Sequence, residues 1–461
     1  MSSPGAAQAA AFAPPPDGVP VPQRYWAIVA IVLAICITVL DSTIANVALP
    51  SIAQDFHASK AASIWVINAY QLTILASLLP LASLGEIVGY RRVSQVGMVV
   101  FTLASLGCAF STSLLTMSVA RVIQGLGAAG IMSVSAALMR FTYPQHMLGR
   151  AIGINALAVA VAAAIGPTIA SAILAVAHWR WLFAINLPIG IVTFSIALYS
   201  LPATERFPRR LNYAGAILLA ATFVLIVTGL QALAHDMATP LALLEIGGGL
   251  VLGFVLVRHE IDPATPIIPF DLLRVRLFAL SVLTSICSFT AQMGALVSLP
   301  FEIQRLGHSA VETGLFITPW PVGVGVSAPI AGWLSDRYPA GVLCAAGLLI
   351  MGAGMLLLAS LPEGASAADF LWRMALCGLG FGFFQTPNNR ALLSAAPRAR
   401  SGAAGGMLST ARLLGQTLGA AGVAVLFHLY PTQGSNVALL TAAGISLFAA
   451  LVSVARVTGE K

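Results

Sequence analysis

The sequence predicts an all-α integral membrane protein of fourteen transmembrane helices, arranged as two six-helix bundles with two more helices inserted between them. Three observations carry that expectation. The chain is 58% hydrophobic and 8% charged, with a mean hydropathy of +0.92, which leaves too little polar surface for a water-soluble globule. It divides into fourteen apolar runs separated by short polar turns, each near the roughly 20 residues that cross a bilayer as a helix. Short patterns in the first half of the chain also return in the second at a nearly constant offset. The runs are too long and too uniformly apolar for barrel strands, and backbone groups in hydrocarbon must be satisfied internally, so helices remain.

The runs centre near residues 38, 72, 102, 127, 162 and 191, then near 223 and 249, then near 288, 322, 350, 379, 416 and 446. "ALP" ending at Pro50 answers "SLP" ending at Pro300, and "ASLGEIVGYRR" around Glu86 answers "AGWLSDRYPA" around Asp336, both at an offset of 250. "GLGAAG" from Gly125 answers "GLGFGF" from Gly378, and Gly153 and Gly166 answer Gly406 and Gly419, at 253. Four matches in order imply a duplicated bundle. The expected layout is a disordered cytoplasmic tail (1–24), a six-helix bundle (25–202), linkers with two inserted helices (203–275), and a second six-helix bundle (276–461). The linker stretches "LPATERFPRRLN" and "RHEIDPATPIIPFDLLRVR" are the most polar, Pro-rich interior segments.

Charge sets the orientation. With the N-terminus inside, seventeen of the 23 Lys and Arg residues fall on the cytoplasmic side, Lys60, Arg180 and Arg305 outside, and Arg121, Arg373 and Arg412 within runs. That asymmetry follows the positive-inside rule and predicts both termini in the cytoplasm. The net charge of +7 is then topological, and nucleic acid is not expected as a partner. The Ala- and Pro-rich start lacks a basic region followed by an apolar one and does not read as a signal peptide. The five cysteines lie in apolar runs at spacings that match neither a metal site nor a disulfide framework. "GLGAAG" follows no strand, so its glycines read as packing positions rather than a phosphate cradle. No Walker, metal or nucleophile-elbow pattern occurs, so no enzyme activity and no cofactor is expected.

Asp41 stands in an otherwise apolar run. Counted from Leu49 at 1.5 Å per residue it lies about 12 Å deep, and Arg121, counted from Leu115, lies about 9 Å deep on the same side. The two can meet. An intramembrane ion costs several kcal/mol unless paired or hydrated, which makes both functional candidates. One reading is a permanent clasp between the first and fourth helices. The other is a titrating carboxylate: burial favours its protonated form and a neighbouring arginine its ionised form, so an opening and closing cavity can move a proton on or off. Its repeat mate is Ala291, so the proton site is one-sided. Arg412 lies about 13 Å from the inner end of its run, beyond comfortable snorkelling, and either faces the cavity or packs its helix. Arg373 reads as an outer-end anchor, and Glu245 as an interface or lipid-facing residue of the insert. Asn46, Tyr70, Gln124, Asn155, Gln292, Trp320, Asn388 and Gln416 are candidate cavity linings, each as readily an interhelical hydrogen bond.

These motifs resemble the major facilitator superfamily, specifically its fourteen-span drug:proton antiporter family, over nearly the whole chain after residue 25. "LDSTIANVALP", "WVINAY", "RVIQGLGAAG", "WRWLFAINLPIG" and "AGWLSDR" carry the likeness. The resemblance implies the major facilitator fold, two bundles rocking about a central cavity, and proton-driven export of amphipathic compounds, with the bilayer, protons and small molecules as partners and a monomer as the working unit. It implies a plasma-membrane location, bacterial inner membrane, a gating loop that holds Glu86, Gly89, Arg91, Arg92, Asp336 and Arg337, and an antiporter motif at Gly166 and Pro167. Ala82, Glu86 and Ile87 depart from the family's gating pattern, which predicts a weaker charge cluster there. Ala170 and Ser171 depart from the antiporter pattern but remain small. The function expected is alternating-access export of hydrophobic, monocationic or neutral drugs and antiseptics in exchange for protons, with Asp41 coupling. An exporter of one endogenous metabolite, such as a siderophore or amino-acid derivative, is the alternative. A non-transporting membrane scaffold is a third reading, which the buried titratable pair disfavours.

Overall fold

The computed structural model describes residues 18–58, 63, 65–204, 211–234, 239–260, 267–307, 310–362, 364–430 and 433–457. The first bundle holds α1 (Gln23–Asp55), α2 (Trp65–Val88), α3 (Tyr90–Ala109), α4 (Leu114–Thr142), α5 (Leu148–Val176) and α6 (Asn186–Ser200). Next come α7 (Tyr213–Ala234) and α8 (Thr239–Glu260). The second bundle holds α9 (Arg276–Arg305), α10 (Pro319–Ser335), α11 (Ala340–Ala359), α12 (Ala367–Ala395), α13 (Ser401–Leu429) and α14 (Gly434–Val457). Among the described residues, thirteen helical stretches are long and apolar enough to cross a membrane, and α7 contributes a shorter apolar run, Tyr213–Gly229. The protein is thus a multi-pass helical membrane protein.

Local signals set several boundaries. Ser113 and Thr116 form a reciprocal capping box that opens α4, and Ser366 and Asp369 do the same for α12. Gly89, at φ +99°, makes the sharp turn from α2 to α3, a backbone geometry that disfavours any side chain. Pro80, Pro300 and Pro387 sit inside long helices, where neighbouring helices can satisfy the freed carbonyls.

The duplication is visible in the packing. In the first bundle α1 packs on α5 and α6, α4 on α2 and α3, and α3 on α6; α9 packs on α13 and α14, α12 on α10 and α11, and α11 on α14. The seams between bundles repeat too: α2 and α4 meet α13, and α10 and α12 meet α5. α7 packs on α8, α2 and α13. Its Val227 joins Leu72 and Leu75 of α2, with Phe223 and Leu413 alongside.

The bundles touch at the end of the molecule where α1 begins, here called the basic face. There α5 and α10 cross backbone on backbone: a Cβ on Gly149 would stand 2.6 Å from the Gly332 carbonyl oxygen, and one on Gly332 2.6 Å from that of Gly149. A Cβ on Gly406 would likewise press on Ala82 of α2, at 2.6 Å. Gly149→Val is therefore expected to wedge α5 from α10. Spin labels at the exposed Gln145 and Tyr338 should show longer distances in the variant, and an unchanged distribution would mean this contact does not hold the face closed.

One expectation fails here. Residues 18–24 are not a disordered tail: the Val19 amide donates to Thr142 at 3.0 Å, Arg24 Nε donates back to Val19 at 2.9 Å, and α1 already begins at Gln23. Residues 1–17 and the linker stretch 205–210 lie outside the described residues, as do Lys60 and Lys461.

Candidate functional site

Asp41 is 1% exposed and Arg121 is fully buried. α1 and α4 bring them together: Arg121 Nη1 donates to Asp41 Oδ2 at 2.5 Å. Asp41 Oδ1 accepts from Gln124 Nε2 and from Asn186 Nδ2, each at 2.8 Å. Ser105 accepts from both amides, at 2.8 and 3.3 Å. Arg121 Nη1 also donates to Gln124 Oε1 at 2.6 Å, and its Nε to the Val66 carbonyl at 3.0 Å. Its guanidinium lies 4.1 Å from the Tyr70 ring centre, a cation–π contact that adds to the pairing in a dry site. Five helices thus converge on one carboxylate, which holds a charge where an unpaired one would cost several kcal/mol. Tyr70 and Gln124 serve this cluster rather than a cavity wall. Asn186 and Ser105 belong to it as fully as Gln124, yet neither was singled out from the sequence; the Asn in "AINLPIG" was the only polar signal available.

The cavity lies elsewhere, between the two bundles. It is a space of about 740 Å³, counting its open mouth, reached by α1, α4, α5, α9, α12 and α13. Of the predicted linings, Asn155 and Arg412 reach it. Gln385, Asn389 and Ser409 supply further polar surface, and Met132, Met139 and Phe289 contribute apolar body. Asp41 is not among its described lining residues, and Arg412 is the sole formal charge among those described. Arg412 Nε and Asn155 Oδ1 are buried without a hydrogen-bond partner.

The remaining expectations for the cavity fail, mostly through helical phase. Asn388 is fully buried and turned into the second bundle, where its Nδ2 donates to Ser285 Oγ at 2.8 Å and its Oδ1 accepts from Arg456 at 2.6 Å. One residue on, a rotation of about 100°, Asn389 faces the cavity instead. Trp320 is 2% exposed and packs in the second bundle's core, its backbone against Gly378 of α12. Gln292 and Gln416 are half-buried and do not reach this space. The side chains of Asn46 and Pro167 lie outside the described residues. Gly166 packs against Thr43 of α1. Arg373 pairs with Asp369 at 2.8 Å, and Glu245 is a half-buried residue of α8, which packs on α7.

At the basic face the charges form a duplicated clamp. Glu86, inside the last turn of α2 and 2% exposed, accepts from the Ala403 amide at the start of α13 at 2.9 Å and pairs with Arg400 at 3.2 Å. Tyr90 Oη accepts from the Gly402 amide at 2.9 Å. The repeat mate of Glu86, Asp336, pairs with Arg390 at 3.2 Å and, at 3.8 Å, with Arg150, the mate of Arg400 at the same offset of 250. It does so at the start of α5, against Gly149. Each carboxylate thus faces a helix N-terminus of the opposite bundle, where the exposed amides favour a negative charge. Burial pushes the Asp336 carboxyl up, against the pull of Arg390 and Arg150. With glutamate at this position the carboxylate still reaches α13 and Arg400. Arg91 donates to the Leu198 carbonyl, Arg92 is exposed, and Arg337 stacks on Trp333 at 4.1 Å, so these three stand outside the clamp.

Comparison with known proteins agrees with this architecture. Residues 31–420 match the model of the Major Facilitator Superfamily. The chain is 50% identical to the uncharacterized transporter YebQ of Escherichia coli strain K12, over 96% of this chain and 97% of the relative. It is 31% identical to the multidrug resistance protein Stp of Mycobacterium tuberculosis, over 82% of this chain and 71% of that one. The crystal structure of the human organic anion transporter MFSD10 shares the fold at 15% identity, with a TM-score of 0.68 over 94% of this chain and all of that one.

Proposed function

The chain belongs to the major facilitator superfamily, and from that premise we propose that it is a proton-coupled exporter of amphipathic small molecules, with Asp41 as its coupling carboxylate. One observation carries the coupling reading: a buried carboxylate held by Arg121, Gln124 and Asn186, all side chains that can release it when helices shift. In one state Asp41 is ionised and paired; in the other it takes a proton as Arg121 turns to its remaining acceptors at Val66 and Gln124. The multidrug resistance relative supports drugs and antiseptics as cargo, and the Lys and Arg excess supports a cytoplasmic orientation of the basic face. In that orientation the clamp closes the cytoplasmic side of an inner-membrane monomer. The expectation of monocationic or neutral cargo finds no carboxylate among the described residues that line the cavity.

The test is proton flux. Proteoliposomes carrying a lumenal pH dye receive a panel of amphipathic drugs and antiseptics of differing charge. At least one compound should drive a proton movement that protein-free liposomes lack. Uptake of a compound with no accompanying proton movement, and no response to an imposed pH gradient, would sink the coupling reading.

A further inference from the structure

We propose that Arg412 and Asn155 form a head-group site for an anionic amphiphile, so that the cargo is an apolar body bearing one carboxylate or a similar monoanion. The inference deepens the transport reading and rests on it. Arg412 reaches the cavity from α13 with no acidic group among the lining residues to neutralise it, and its Nε is buried without an acceptor. Asn155, from α5, brings a buried carbonyl oxygen with no donor. Buried polar atoms without partners are rare, and here a donor and an acceptor occur in one cavity, one from each bundle. A ligand with an anionic oxygen for Arg412 and a hydroxyl, amide or acid proton for Asn155 would satisfy both. The rest of the wall, with Met132, Met139, Phe289 and Leu408, suits an aromatic or aliphatic body, and methionines adapt to varied shapes. A cation would meet the Arg412 charge with no carboxylate to offset it. Asp41, the candidate counter-charge, is enclosed in the first bundle with its own arginine.

The experiment measures binding to the purified full-length protein in nanodiscs, with no gradient present. Three fluorescent probes share one ring system: 9-anthracenecarboxylate, 9-anthracenecarboxamide and 9-(aminomethyl)anthracene, which are anionic, neutral and cationic at neutral pH. The carboxylate should bind about tenfold tighter than the amine, as a charge-assisted contact implies. Arg412→Gln should cost the carboxylate about tenfold and leave the amide within about twofold, and Arg412→Lys should retain part of the preference. Asn155→Ala, which leaves the charge in place, should weaken the carboxamide, whose N–H can serve the Asn155 carbonyl, more than the carboxylate, which carries no donor at neutral pH. Unaltered amide affinity shows that Arg412→Gln is folded; if it is not, the wild-type series and Asn155→Ala decide. An amine that binds as tightly as the carboxylate, a carboxylate that does not bind the wild type, or an unchanged carboxylate-to-amide ratio in folded Arg412→Gln would overturn the proposal. A protein that binds the carboxylate but never accumulates it under a pH gradient would instead overturn proton coupling and leave this site standing.

Discussion

Replacing Asp41 with Asn is expected to abolish substrate accumulation driven by a pH gradient while leaving gradient-free exchange of substrate measurable. The amide matches the carboxylate in volume, and its oxygen can still accept from Gln124 and Asn186, but it does not titrate. One exchanged proton converts a gradient of one pH unit into about 1.36 kcal/mol, or roughly tenfold accumulation, and that drive should fall to none. The single variant leaves Arg121 buried without its anion, which in general costs about 3–5 kcal/mol when one partner of a buried pair is removed. Val66, Gln124 and the Tyr70 ring remain to offset part of that. The double variant Asp41→Asn with Arg121→Gln removes both charges and should recover expression and thermal stability without recovering the drive. Accumulation restored in the double variant, or retained in the single one, would show that Asp41 only clasps two helices.

Neutralising the clamp should have an unequal effect on its two halves, and the larger loss should fall at Glu86. Glu86 and Arg400 are 2% and 9% exposed as side chains; Arg400 keeps Asp271 at 2.9 Å, so neutralising Glu86 loses its charge-assisted bonds to Arg400 and the Ala403 amide, about 1.5–3 kcal/mol. Asp336 is 12% exposed, but its partners Arg390 and Arg150 are 25% and 50% exposed and the second lies 3.8 Å away, which places that pair nearer the surface value of up to about 1 kcal/mol. A bias of about 2 kcal/mol is roughly thirtyfold in population. Glu86→Gln should therefore shift the protein strongly toward a state open at the basic face, and Asp336→Asn only slightly. Labels on α2 and α13 would report this as a new long-distance population in the first variant. Equal shifts in both, or none in Glu86→Gln, would show that backbone packing alone keeps the face shut.

The parts that were legible in the sequence are those whose signal survives projection onto a line. The helices followed from apolar length, the duplication from the matched Glu86 and Asp336 patterns, and the Asp41–Arg121 encounter from depth, because two ions at one level in hydrocarbon have strong reason to meet. What depends on rotation about a helix axis was hidden. Asn388 and Asn389 are equivalent as letters, yet one binds Arg456 inside the bundle and the other faces the cavity. Trp320 and Tyr70 were misplaced for the same reason. Asn186 and Ser105 escaped notice because a single amide or hydroxyl in an apolar run costs little and so announces little. Glu86 was read as part of a loop because its motif has a loop's composition, whereas α2 continues to Val88 and carries the carboxylate into the interface.

The insert gives the two seams between the bundles different surroundings. α7 lies along the joint of α2 and α13, with Phe223 and Val227 beside Leu72, Leu75 and Leu413, while among the described residues neither inserted helix packs along the joint of α5 and α10. A molecule dissolved in the bilayer would therefore meet α7 at one seam and α5 and α10 themselves at the other. Leu413, on the covered seam, is the chain neighbour of Arg412, so α7 shields the helix that carries the charge facing the cavity.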